Sequence, residues 1–328
     1  MKEYIETNDE KRNKYFFELI GQENVSSKVK FKKASYLISL GADVNARRNG
    51  HSLASWAKEK GEEEIYQLLI AKGGKEWVLE GDEKKKLIKK FVDGADDFSN
   101  IEEGYKLGID INVCNESGWT ALIKAAYWDN IEGVSFLIDK GGDVNHKTEK
   151  GRTALMEAAF GDNEDIVELL LEKGVYLEEK DEKGMTALAW ATLQRSGKAM
   201  DVLIDKGADI NTQDKDGRTP LMMAILNYHI DEANFLIDNG ADLNIKDNVG
   251  KTALMFAVSE NCVNVGEKLI EKGADIGIKN NDGETARDMA KRLNMRTMEW
   301  NLQEAEKKLK NKNGEKNALG RLKVFLRR

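Results

Sequence analysis

Between residues 112 and 283 the apolar positions of the chain run in a cycle. A short cluster comes first, a leucine followed by small residues one turn on: Leu122 with Ala125 and Ala126, Leu155 with Ala158 and Ala159, Leu188 with Ala191, Leu221 with Ala224, Leu254 with Ala257. A broader stripe follows, as in Ile131, Val134, Phe136, Leu137 and Ile138, or Ile166, Val167, Leu169, Leu170 and Leu171. Both have helical spacing and predict two helices per cycle, each of roughly eight to ten residues and too short to persist alone. Between one stripe and the next cluster lie segments rich in Asp, Asn, Lys and Glu, which predict an extended arm with a turn such as Asp214-Lys215-Asp216-Gly217.

The cycle is punctuated at fixed points. Gly118-Trp119-Thr120-Ala121-Leu122, Gly151-Arg152-Thr153-Ala154-Leu155, Gly184-Met185-Thr186-Ala187-Leu188, Gly217-Arg218-Thr219-Pro220-Leu221 and Gly250-Lys251-Thr252-Ala253-Leu254 recur every 33 residues. Each threonine stands where its side-chain oxygen can cap the first turn of a helix, and Pro220, the chain's one proline, falls at the next position, where a helix tolerates it. Gly108, Gly141, Gly174, Gly207, Gly240 and Gly273 run in phase and suit the left-handed cap that closes a helix. A period of this size means stacked units, each stabilised by its neighbours.

The flanks keep the pattern loosely. Tyr15, Phe16, Phe17, Leu19 and Ile20 predict one helix and Val29, Phe31, Ala34, Tyr36, Leu37, Ile38 and Leu40 a second, with Lys28, Lys30, Lys32 and Lys33 as the solvated outer face of a terminal unit. Gly41 and Gly108 are 67 residues apart, room for two further units, one degenerate and bearing a lysine cluster (Lys84, Lys85, Lys86, Lys89, Lys90) that reads as a solvated helix face. At the other end Gly283-Glu284-Thr285-Ala286-Arg287 keeps the threonine but replaces leucine by Arg287, as an outward-facing last unit would. From Lys307 onward nine basic residues oppose only Glu315, so residues 307–328 carry +8 and the remainder −15.

Composition narrows the function classes. With 41% apolar and 33% charged residues the chain can build a core, and no apolar run is long enough to cross a membrane. Met1-Lys2-Glu3-Tyr4-Ile5-Glu6 lacks the apolar stretch of a secretory signal, so Sec-type export is not expected and the cytoplasm is the expected compartment. Cys114 and Cys262 are more than four periods apart and are expected as free thiols; neither they nor the scattered His51, His146 and His229 have metal-ligand spacing. Gly250-Lys251-Thr252 lacks the upstream glycine of a phosphate loop, since Ile245 stands there, and the Asp214 turn does not continue into a calcium loop. No hydrolase or dinucleotide motif occurs, and nearly every residue is assigned to a stacking unit. No enzyme, cofactor or metal is therefore expected.

Gly-x-Thr-Pro-Leu, paired alanines, an apolar second helix and Gly-Ala-Asp-Ile-Asn at this period resemble the ankyrin repeat family over about residues 36 to 293. The resemblance implies an all-α, ankyrin-type solenoid of stacked helix-turn-helix repeats with hairpin-like arms, about nine units including caps. Residues 1–306 would form the array (irregular units 1–111, regular units 112–282, C-terminal cap 283–306) and 307–328 a basic tail. The chain departs from the family pattern after the Thr-Pro-Leu position, where Ile123, Met156, Ala189, Met222 and Met255 replace a histidine and should substitute apolar contact for its hydrogen bonds.

The resemblance also implies a concave groove lined by the turns and first helices, and hence a non-enzymatic protein–protein interaction scaffold. The matching positions are Trp119, Met185 and Arg218 after the pentapeptide glycine, Tyr127, Phe160, Leu193 and Leu226 late in the first helix, and Trp190, Met223 and Phe256 one turn earlier. Aromatic residues with arginine at their rim are common interface anchors. An alternative working part is the tail, where Arg321, Lys323, Phe325, Arg327 and Arg328 suit a basic amphipathic helix that tethers the chain to an anionic membrane or a partner. The expectation is a monomer with a protein partner, membrane contact through the tail alone, and no nucleic-acid binding, because the body is acidic.

Overall fold

A computed structural model describes residues 9–48, 51–74 and 81–308, without the side chains of residues 9, 10 and 81–84. The chain divides into two compact units, Met1–Glu149 and Lys150–Arg328. In the first, the helices are α1 (Asp9–Gly21), α2 (Ser27–Ser39), α3 (Leu53–Glu59), α4 (Glu63–Ala71), α5 (Gly81–Asp93), α6 (Phe98–Lys106), α7 (Ala121–Tyr127) and α8 (Ile131–Asp139). In the second they are α9 (Ala154–Phe160), α10 (Glu164–Glu172), α11 (Ala187–Gln194), α12 (Gly197–Asp205), α13 (Pro220–Leu226), α14 (Ile230–Asp238), α15 (Ala253–Ser259), α16 (Val263–Glu271) and α17 (Ala286–Arg292), with residues 296–308 also helical. Among the described residues strand pairing is confined to the two-residue strands Arg47–Arg48 and His51–Ser52, with Arg48 opposite His51, and to single bridges at Cys114–Thr120 and Lys279–Thr285.

Threonine starts the first helices by the expected mechanism. The hydroxyls of Thr120, Thr153, Thr186, Thr219 and Thr285 accept from the backbone N–H three residues on, and the last forms a reciprocal capping box with Asp288. Thr252 has the same extended backbone but makes no such side-chain bond. Both ends of each link are then closed by left-handed caps. Asp162, Arg195, Tyr228, Asn261 and Asn294 all have positive φ at the same register, and the residue after each donates to a carbonyl five back, as Asn163 does to Ala158 and Ser196 to Ala191. Gly207, with φ of +89°, ends α12 in the same way, Ala208 donating to Leu203.

Within the second unit the core repeats. Leu155, Leu188, Leu221 and Leu254 are buried with Ala158, Ala191, Ala224 and Ala257 beside them, and Met156, Ala189, Met222 and Met255, at the positions departing from the family pattern, are buried too. The arms are tied by a ladder: Glu182 donates to the Lys150 carbonyl, Lys215 to Lys183, Asn248 to Asp216 and Asn281 to Val249. A second ladder explains the Gly-Ala-Asp-x-Asn segment. Asn211 Oδ1 accepts from the Asp242 N–H at 2.8 Å and Asn244 Oδ1 from Asp275 at 2.8 Å, while Glu178 stands in for asparagine and accepts from Asp209 at 2.9 Å. At Gly184 a Cβ would lie 2.9 Å from the Lys215 nitrogen, and φ is +79°, so both conformation and close approach require glycine.

The first unit is packed differently. Phe16, Phe17, Leu19 and Ile20 of α1 form one cluster with Ala34, Leu37, Leu53, Ile65 and Leu69. Here the expected solvated face of α2 needs correction. Lys28, Lys32 and Lys33 are exposed, but Lys30 is 5% exposed, its ammonium 2.5 Å from Glu62 Oε1 and 3.2 Å from the Ile20 carbonyl. Lys30, Ala34 and Leu37 share the buried face at helical spacing, which leaves Val29 and Tyr36 largely exposed.

Candidate functional site

The turns that carry the candidate residues are built by an aspartate or asparagine. Asp181 Oδ1 accepts from the N–H groups of Lys183 and Met185, Asp214 Oδ1 from Asp216 and Arg218, and Asp247 Oδ1 from Val249 and Lys251. Each carboxylate thus fixes the residue after the pentapeptide glycine before any side-chain contact forms. In the first unit Asn115 Oδ1 does the same for Ser117 and Trp119.

At the start of the second unit the side chains form a locked aromatic cluster. Arg152 donates through Nε and Nη2 to the two oxygens of Glu157, at 2.8 and 2.7 Å, and Glu157 is 2% exposed. The guanidinium carbon lies 3.7 Å from the Trp190 ring centroid and 5.4 Å from that of Phe160, and the two rings are 5.9 Å apart. Trp190 Nε1 donates to Asp181 Oδ2 at 3.0 Å, so the indole is held at its edge as well as its face. Such paired, desolvated cation–π contacts are worth about 2 kcal/mol. Next to this, Met185, Ala189 and Met223 make a buried patch on which half-buried Trp190 and Leu193 pack.

The sequence-derived candidates therefore differ in what they offer a partner. Phe160, Trp190, Leu193, Arg218 and Leu226 are half-buried, whereas Met185, Met223 and Phe256 are only 5%, 4% and 4% exposed and act mainly as a floor. Lys251 lies over the Phe256 ring at 5.5 Å. Trp119 and Tyr127 belong to the first unit, where their rings meet edge to face at 6.3 Å and Lys124 sits 4.5 Å over Trp119. The tail candidates Arg321, Lys323, Phe325, Arg327 and Arg328 lie outside the described residues.

Ankyrin-repeat models match residues 85–181, 143–214 and 190–280, together more than half of the chain. The chain belongs to the ankyrin-repeat family. Ankyrin repeats form protein–protein interaction scaffolds and are typically non-enzymatic. Among solved structures, one chain of the complex between a predatory endopeptidase from Bdellovibrio bacteriovorus and an immunity protein is 33% identical, with a TM-score of 0.51 over 58% of this chain and 99% of that one. No curated protein matches significantly.

Two features of these ankyrin repeats escape a reading of residue types along the chain. Glu157 is one, a buried carboxylate at the helix position that Trp190, Met223 and Phe256 hold in sister repeats; the signal was an acidic residue five positions after an arginine. Asp181 is the other: Asp214 and Asp247 share its place in the arms that follow, but its second bond, to Trp190, is not legible from the spacing. Cys114 and Cys262 are free thiols, and burial, followed by the nearby Glu260, raises the pKa of Cys262. Among the described residues no cluster of three His, Cys, Asp or Glu could hold a metal ion, and no helix is long and apolar enough to cross a membrane.

Proposed function

We propose that the chain binds a protein partner through the first-helix face of its second unit, centred on Trp190, Leu193 and Arg218. The observation that carries this reading is the patch formed by Met185, Ala189 and Met223 under half-exposed Trp190 and Leu193. An aromatic anchor already fixed by Asp181 and Arg152 loses little freedom on binding, and preorganised aromatic side chains contribute most per residue to protein interfaces. The similarity to a chain from an endopeptidase–immunity protein complex supports a protein as the partner class.

The test is a pair of substitutions at the centre of the patch, in the full chain and with a partner isolated by affinity capture. Trp190→Ala is expected to weaken binding by more than about 2 kcal/mol in titration calorimetry. Because that substitution also uncovers Arg152, Leu193→Asp, which leaves the Arg152–Glu157 pair intact, is the control. Unchanged affinity in both variants, with thermal midpoints showing both folded, overturns the assignment.

A further inference from the structure

Arg152 and Arg218 hold the same place in repeats two periods apart, each directly after the pentapeptide glycine. Their surroundings differ. The Arg152 side chain is 13% exposed and its fork is filled by both oxygens of Glu157, five residues on. Five residues after Arg218 stands Met223. Arg218 Nε is shielded from solvent without an acceptor, and Nη1 lies 3.3 Å from Asp216, a carboxylate 66% exposed and so only weakly binding. The Arg218 side chain remains 42% exposed.

A planar guanidinium on a side chain that is 42% exposed takes a carboxylate in preference to other groups, and Nε, which solvent does not reach, joins the contact only if the side chain turns outward on binding. The helix that follows Arg218 contributes Met223 to the apolar patch with Met185, Trp190 and Leu193, so charge and apolar surface meet there. We propose that Arg218 anchors a carboxylate of the partner, an Asp or Glu next to an apolar residue, supplying from outside what Glu157 supplies to Arg152 from within. This inference rests on the first-helix face being the binding surface. At the Arg218 guanidinium itself a basic occupant such as residues 307–328, which carry +8, meets like charge, although the rest of the chain carries −15.

The probe is a random twelve-residue peptide library displayed on phage and selected on the full chain, the selected peptides being synthesised and titrated by fluorescence anisotropy. Support requires that they carry Asp or Glu beside an apolar residue and that Arg218→Met weakens them at least tenfold. Replacing that acid by its amide should weaken binding to the wild-type chain and not to Arg218→Met. Met223→Glu, which recreates the five-residue spacing of Arg152 and Glu157, should keep or raise the thermal midpoint and weaken the same peptides. If Met223→Glu fails to fold, Arg218→Met alone decides. Peptides that lose affinity with Leu193→Asp but ignore both Arg218→Met and removal of the acid overturn the Arg218 assignment and leave the binding face standing. Peptides indifferent to every one of these substitutions overturn both, and displacement of the acidic peptides by a synthetic 309–328 peptide overturns the acidic partner in favour of an internal occupant.

Discussion

In the second unit, leucine and alanine carry the burial at one register, and the same few hydrogen bonds recur in each arm. In the first, the helices of the N-terminal region bury Phe16, Phe17 and Phe91 and close around Lys30 and Glu62, a pair with side chains only 6% and 8% exposed. The difference shows what regularity provides. Where neighbours are alike, one solution to packing serves the successive repeats, and an individually fitted pair such as Arg152 and buried Glu157 is the exception. Where they are not, the core is filled by larger, individually fitted side chains, and a charge that ends up inside needs its own partner.

That contrast can be broken most severely at the ion pair. Lys30→Met leaves Glu62 buried without its cation and is expected to cost about 3–5 kcal/mol in urea unfolding, whereas Lys30→Met combined with Glu62→Leu should recover most of the loss. If the single and double variants are equally destabilised, the pair is not what that core depends on. In the second unit the equivalent weak point is apolar: Leu188→Ala, at a residue 1% exposed, should cost about 2–5 kcal/mol through the cavity it leaves. A loss under 1 kcal/mol would mean that this repeat collapses to fill the space.

Smaller changes sharpen the comparison within the regular repeats. Thr186→Ala removes a cap bond and should cost about 1 kcal/mol, while Thr252→Ala, where no side-chain bond is made, should cost distinctly less. Equal losses in chemical denaturation would contradict the difference between these two helix starts. The smallest effect belongs to pH. The backbone N–H of Thr285, and after it the Thr285 hydroxyl, hold the Asp288 carboxyl below its usual 3.8. A folded pKa below the unfolded one gives stability that is present above the ordinary aspartate value and lost as pH falls through the folded value. The gap in thermal midpoint between wild type and Asp288→Asn should therefore be widest above about pH 5 and close as the pH drops below about 4; a gap that is independent of pH would exclude this origin.

Much of this was legible in the sequence because the determinants are local. Threonine before Ala-Leu, glycine after the second stripe and Pro220 after Thr219 act within a few residues of where they stand, so helix starts and ends follow from spacing. Thr252 shows the limit, since an identical residue in an identical frame makes no side-chain cap bond. Lys30 shows another: its lysine neighbours pointed to solvent, and only the contacts of α2 with α1 and α4 turn it inward. At the candidate face the sequence identified Trp190, Leu193 and Arg218 by position. It could not separate them from Met185, Met223 and Phe256, which are covered, because how far a side chain is covered depends on the repeats beside it.

The asparagine ladder has a consequence for how such a chain changes over time. Asn211 and Asn244 receive the amide of the following arm in the same manner, so excising residues 212–244 would bring Asp275 opposite Asn211 with donor and acceptor still matched. Duplication would preserve the match equally well, and the arms set no bound on how many modules the chain can gain or shed in whole steps.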